Sequence, residues 1–336
     1  MSTAPLHTAF LSHATCSNIG RIFDAPRRER IARKAQSLPI DLTPNNLADH
    51  LKEAAQIEAV FGTWGIPADL LTADKFPSLK IVLYGAGSVK GFGRPLLERG
   101  VTITTAKHAN AVCVAQFCLG QILLAAKGYF RNTQMCRDEK IRLSYKTFAG
   151  AGFYGEKIAL IGMGAVAREL VALLKPFQVQ ILTVDPFLSA EGAEKLGVKI
   201  VTLEEAFAQA YIVSNHLPNL PELRGVLNRP LFASMRPDAT FINTGRGAQV
   251  SEADLIEISK LRPDIVSLLD VTDPEPPLAG SPLYTLPNIQ CSSHIAGGLN
   301  DELRFFGDCV IDEFERYASG QPVLYAESLE LLDRSA

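Results

Sequence analysis

The chain has 336 residues, of which 47% are apolar and 21% charged, with a formal net charge of −3. That length exceeds one compact core and suits two domains, for which the apolar content is sufficient, and the unremarkable charged fraction argues against a disordered chain. No basic stripe is present, which argues against nucleic acid as the main partner.

Short β-rich runs at 8–11, 59–61, 80–84 and 101–105 alternate with helical patterns at 47–56 and 94–99. Such a rhythm implies parallel strands joined by crossover helices. The run 25–34 is strongly basic and reads as a solvated helix face. Residues 109–126 carry no formal charge, a length that suggests a membrane span. Asn110, Gln116 and Gln121 interrupt the run, and no second segment resembles it. A helix buried on all sides, packed between domains or subunits, is therefore expected.

Residues 131–152 form a polar connector, and a second alternation begins at Lys157. Its expected strands are 158–161, 181–184, 199–201, 212–214, 240–242, 265–269 and 289–292. A last amphipathic helix at 302–319 would place Phe305, Cys309, Ile311 and Phe314 on one side and return to complete the first domain. The cysteines, Cys16, Cys113, Cys118, Cys136, Cys291 and Cys309, form no C-x-x-C pair and read as reduced thiols of a cytoplasmic protein. No signal-peptide pattern opens the chain. The histidines and cysteines show no ligand spacing, so no metal site is expected.

Strand 158–161 leads into Gly162-Met163-Gly164-Ala165-Val166-Ala167 and then a helical run stopped by Pro176. This is the G-x-G-x-x-A form of a dinucleotide-binding turn in its strand–turn–helix setting. Gly162 permits the tight turn, Gly164 lets a pyrophosphate approach the backbone, and Ala167 lets helix and strand pack closely. The helix N-terminus offers free N–H groups to the phosphates. The next strand ends at Asp185, where an acid can accept hydrogen bonds from ribose hydroxyls and would repel a 2′-phosphate; NAD is favoured over NADP.

Three further islands carry chemistry: Asn243-Thr244-Gly245-Arg246-Gly247, Asp270-Val271-Thr272-Asp273-Pro274-Glu275-Pro276, and Ser293-His294-Ile295-Ala296-Gly297-Gly298. Reducing a 2-oxo acid builds negative charge on the carbonyl oxygen, so the site needs a cation, a proton donor and a carboxylate anchor. The planar fork of Arg246 suits carboxylate and carbonyl oxygens together. Glu275 beside His294 would stabilise an imidazolium and keep a proton available. Singly, each of the three reads as an ordinary solvated or ion-paired side chain. Following successive strands of one nucleotide domain, they read as one site. Asp270 would face the nicotinamide end of the cofactor, and His216 would line the cofactor cleft through its backbone.

In order and spacing, the Gly162–Ala167 turn, Asp185, His216-Leu217-Pro218, and these three islands resemble the D-isomer-specific 2-hydroxyacid dehydrogenases over about 79–298. The resemblance implies an α/β architecture of two Rossmann/flavodoxin-like domains with parallel sheets. The substrate domain would be discontinuous (1–108 plus 302–336), with an NAD-binding Rossmann domain inserted (109–301). It implies an NAD-dependent enzyme interconverting a small 2-oxo acid and its D-2-hydroxy acid, as a homodimer formed largely by the nucleotide domains.

By the same resemblance Arg246 binds and polarises substrate, with His294 as acid/base and Glu275 its partner. The cofactor would meet Gly162, Gly164, Ala165, Val166, Ala167, Asp185, His216, Thr244, Asp270 and Gly297. Backbone N–H groups around Gly85, Ala86 and Gly87 would hold the substrate carboxylate, with Trp64 lining the pocket. Ser88-Val89-Lys90 stands where many members carry Asp-Asn, and Gln116 where many carry Glu, which leaves substrate identity open. No Arg or Lys cluster occupies the expected substrate loops, so a phosphorylated substrate is not favoured. The alternative is an NAD(H)-binding regulatory, corepressor-like protein of the same fold.

Overall fold

The computed structural model describes residues 5–13, 18–142 and 148–334; Cys16 and part of the 131–152 connector lie outside them. The chain divides into two compact units, Met1–Asn110 with Gly298–Ala336, and Ala111–Gly297.

Among the described residues, the first unit is built on five strands, β1 (Leu6–Leu11), β2 (Ala35–Leu42), β3 (Ala59–Gly62), β4 (Ile81–Tyr84) and β5 (Thr102–Thr105). They pair in the order β2-β1-β3-β4-β5, and every pairing is parallel. β3 and β4 are buried along their whole length, as strands covered by helices on both faces must be. β2 has no counterpart among the strands expected from the sequence. Its composition, with Ser37, Pro39 and Asp41, masks it, and such a strand is tolerated because it lies at the sheet edge.

The basic run is helical over Ala25–Ala32, but its face is not simply solvated. Arg27 Nη2 meets Asp308 Oδ2 at 2.5 Å, while Arg30 meets Asp312 at 2.7 Å and Glu315 at 3.0 Å. The acids belong to the helix Glu302–Ala318, which thus docks on the first unit through charge as well as apolar contact. The sequence pattern misassigned part of that apolar face. Phe305 is 43% exposed, whereas Phe306, Val310, Ile311 and Phe314 are fully buried. Phe314 meets the Phe61 ring edge-on at 5.2 Å, and Phe61 meets Phe10 and Phe23.

Among the described residues, the second unit holds seven parallel strands in the order β12-β11-β10-β9-β6-β7-β8. They are β6 (Lys157–Ile161), β7 (Gln180–Val184), β8 (Val198–Ile200), β9 (Ile212–Asn215), β10 (Thr240–Asn243), β11 (Val266–Leu269) and β12 (Ile289–Cys291). The order reverses between β6 and β9, the switch point at which ligands of doubly wound sheets bind. Register aligns Ile161 with Asn215, Asn215 with Asn243, Asn243 with Leu269 and Leu269 with Cys291. The next residues of each strand therefore emerge along one carboxyl edge.

The long helix Lys107–Ala126 is apolar and long enough to cross a membrane by length and composition, yet half of it is buried inside the fold. Gln116, Gly120 and Leu124, spaced four apart, form an exposed stripe, so within this chain the helix is not buried on all sides. The connector that follows begins as a helix, Tyr129–Met135.

Truncating Phe314 to Ala removes an aromatic ring that nothing else can replace at the centre of the first unit. The expected loss is about 3–5 kcal/mol of that unit's stability, measured as the shift of its urea transition. A loss below about 1 kcal/mol would show that the terminal helix contributes little to this core.

Candidate active site

The turn after β6 is tied together from three sides. Gly162 adopts φ +91°, and a Cβ there would lie 2.8 Å from the His216 carbonyl oxygen, so only glycine fits. Gly164 precedes the helix Ala165–Leu174 without any side-chain cap, and a Cβ on it would meet nothing within 4 Å. The helix N-terminus thus presents uncapped N–H groups beside open space, which fits a pyrophosphate. Ala167 is fully buried in the core under the sheet, where a larger side chain would separate helix from strand. Asp185, at the end of β7, accepts from Met163 N at 2.7 Å and Phe187 N at 2.8 Å. Its carboxylate therefore lies against the turn, with further lone pairs for ribose hydroxyls.

After β10, Arg246 leaves the sheet in a turn closed by Gly247. A Cβ on Gly247 would overlap the Thr272 carbonyl, so glycine permits this turn to lie against the loop after β11. Arg246 Nη1 donates to the Gly245 carbonyl at 2.8 Å. Burial lowers the pKa of its guanidinium, and the charge of Glu275 opposes that effect. Glu275 in turn lies 2.7 Å from His294 Nδ1, with both side chains nearly half exposed. The structure thus brings Arg246, Glu275 and His294 together.

Asp270 sits beneath them at 2% exposure. Its Oδ1 accepts from Ser292 Oγ (2.6 Å) and Ile295 N (2.8 Å), its Oδ2 from Ala296 N (2.9 Å), and its carbonyl oxygen from His294 N (3.0 Å). His294 is held at φ +57° by this wrapping. Thr244 Oγ1 lies 3.3 Å from the buried Cys118 thiol, whose pKa burial pushes up to about 11. Val166 and Gly297 are partly buried, and Ala165 is exposed at the start of its helix.

The remaining sequence candidates belong to the first unit. Gly85 N donates to Gly62 O at 2.8 Å and Ala86 N to Tyr84 O at 2.8 Å, so two of the three expected carboxylate donors are engaged within the chain. A Cβ on Gly85 would lie 2.9 Å from Ile22 Cγ2, whereas at Gly87 the nearest atom would be 4.0 Å away. Trp64 is 37% exposed and packs on Phe306 at 5.6 Å between ring centroids.

Sequence reasoning passed over Asn215 and Gln249, whose side chains are buried at 0% and 1% exposure beneath Arg246. Their only sequence signal is a polar amide inside or beside an apolar strand. His216 Nε2 lies 3.0 Å from Ser214 Oγ, and burial lowers its pKa from 6.5 to about 4. The folded protein therefore resists protonating His216, while the unfolded chain takes up that proton below about pH 6.5. The resulting stabilisation is complete above that pH and declines as pH falls toward 4. A His216→Gln variant is expected to show a flatter stability profile between pH 6.5 and 4, checked by urea unfolding across that range; an unchanged slope would remove His216 from the balance.

Residues 119–296, more than half of the chain, match the family described as D-isomer specific 2-hydroxyacid dehydrogenase, NAD binding domain. A D-3-phosphoglycerate dehydrogenase of Archaeoglobus fulgidus is 29% identical over 238 residues, covering 71% of this chain and 45% of the relative. The chain spans about half the length of the curated relatives it matches. Two solved structures share its fold: a phosphoglycerate oxidoreductase from Rhizobium etli (TM-score 0.79, 22% identity, 96% of this chain and 98% of that one) and the apo D-mandelate dehydrogenase of Rhodotorula graminis (TM-score 0.78, 20% identity, 97% and 98%). The chain belongs to the D-isomer-specific 2-hydroxyacid dehydrogenase family, and its second unit is that family's NAD-binding domain.

Proposed function

We propose that this protein is an NAD-dependent oxidoreductase that interconverts a small, unphosphorylated 2-oxo acid and its D-2-hydroxy acid. The observation that carries the reading is the 2.7 Å contact between Glu275 and His294 Nδ1 beside the half-buried Arg246, at the carboxyl edge of an NAD-binding sheet. When bound, NADH supplies the hydride. Gly162, Gly164, Ala165, Val166, Ala167, Asp185, His216, Thr244, Asp270 and Gly297 are the residues proposed to hold it.

The geometry supports the following roles. Glu275 engages Nδ1, so Nε2 is the nitrogen available to substrate. As imidazolium, His294 donates the Nε2 proton to the developing alkoxide while Nδ1–H stays on the carboxylate. Arg246, desolvated and permanently charged, binds the substrate carboxylate and polarises its carbonyl. The Gly87 N–H is the proposed backbone donor to the carboxylate, since those of Gly85 and Ala86 are engaged. Trp64 is proposed to limit the substrate side chain.

Relatives are named for phosphoglycerate, but the expected substrate loops hold no Arg or Lys cluster. That favours a substrate without a phosphate. Exposed Tyr154 (88%), Tyr129 (49%) and Leu124 (41%) on the second unit support assembly as a homodimer, and the free cysteines suit a cytoplasmic protein.

With NADH and a panel including glyoxylate and hydroxypyruvate, His294→Ala should lower kcat by about 10²–10⁴-fold while NADH still binds. Absence of any His294-dependent NADH oxidation across the panel would refute the enzyme reading. Arg246→Lys should reduce kcat/KM while leaving the unfolding midpoint unchanged, because an ammonium cannot reproduce the two-pronged contact; an unaffected rate would remove Arg246 from the site. NADH should bind more tightly than NADPH because Asp185 would face the 2′-phosphate, and coincident titrations would sink that assignment.

A further inference from the structure

Beneath Arg246 lies a group of three buried amides that no catalytic role accounts for. Gln249 Oε1 accepts from Arg246 N at 3.2 Å and from Asn215 Nδ2 at 2.6 Å. Its Nε2 donates to Leu217 O at 2.8 Å and Pro218 O at 2.7 Å. Asn215 Nδ2 also donates to Asn243 Oδ1 at 3.0 Å, and its Oδ1 accepts from Leu217 N at 3.2 Å. Asn243 completes the set: its Oδ1 accepts from Gly245 N at 3.1 Å and its Nδ2 donates to Arg246 O at 3.3 Å. Both backbone polar groups of Arg246 are thus held by buried side chains.

We propose that Gln249, braced by Asn215, is a positioning residue that locks the Arg246 backbone to the loop after β9 and so sets where the guanidinium meets substrate. The proposal rests on the reading of Arg246 as the substrate-binding cation. Turning the Gln249 amide over would set its oxygen against two carbonyl oxygens and its NH₂ against two donors, so one orientation satisfies every contact. An apolar side chain would fill the space without fixing a direction. A carboxylate would place a second negative charge beside Arg246 and compete with the substrate for it. Gly245 makes the approach possible: a Cβ there would lie 2.8 Å from Gln249 Oε1 and 2.9 Å from Asn215 Nδ2.

The test uses the whole 336-residue chain with Gln249→Met and Gln249→Glu. In Gln249→Met, exchange of the Arg246 amide hydrogen should accelerate about tenfold, and KM for the 2-oxo acid should rise about tenfold, the scale of one lost buried hydrogen bond. NADH affinity should stay within about twofold of wild type on the same scale. In Gln249→Glu the protonated carboxyl can donate toward Leu217 O or Pro218 O and the ionised one cannot. Its kcat/KM relative to wild type should therefore fall as pH rises, a signature that simple misfolding would not produce. Unchanged Arg246 exchange and KM in Gln249→Met, or a pH-independent ratio in Gln249→Glu, would overturn the proposal. If wild type reduced no 2-oxo acid, the functional reading would fail, while accelerated Arg246 exchange would still establish the lock.

Discussion

The buried carboxylate of Asp270 is the constraint on which the site depends. At 2% exposure it needs strong donors, because an unmatched buried charge would cost several kcal/mol. The donors come from Ser292, Ile295 and Ala296, so the chain after β12 has to wrap around Asp270. His294 lies inside that wrap and takes the left-handed conformation, at about 1–3 kcal/mol of local strain for a residue with a Cβ. A single satisfied anion thus projects the imidazole outward, where Glu275 can reach Nδ1.

The parallel register supplies the rest. Because Asn215, Asn243, Leu269 and Cys291 stand level across β9 to β12, the residues that follow each strand emerge side by side. The partly exposed Arg246, Glu275 and His294 occupy the outer layer of this edge, while Asp270 lies buried beneath His294. Neutral amides lie beneath Arg246 itself, where direction matters and net charge would disturb the guanidinium. Glycines at 162, 245 and 247 let the loops approach closely enough for both layers to form.

The sequence is most readable where one local rule governs. Runs such as Ile212–Asn215 and Thr240–Asn243 have the apolar, β-branched character of doubly covered strands, and they lie within a residue of the expected positions. The glycine turn announces itself through small residues between strand and helix. It is least readable where the deciding partner is remote. β2 carries Pro39 and Asp41 and is a strand only because β1 lies beside it. The basic run at 25–34 looks solvated until Asp308, Asp312 and Glu315 arrive from 280 residues away. In the terminal helix, Phe305 and Phe306 are equally apolar, and only the position of the sheet decides which is buried.

By itself, the sequence determined the two parallel α/β units' alternation and the dinucleotide turn, and it singled out Arg246, Glu275 and His294 as candidates, because each is written in a contiguous stretch with its own turn chemistry. Only the tertiary structure decided that Glu275 reaches Nδ1 of His294, that Asp270 holds the His294 loop, and that Gln249 and Asn215 tie the Arg246 turn to the loop after β9. Those facts depend on side chains from strands far apart in the chain meeting at one sheet edge. The directional fit of buried hydrogen bonds, unlike hydrophobic period, leaves no local pattern in sequence.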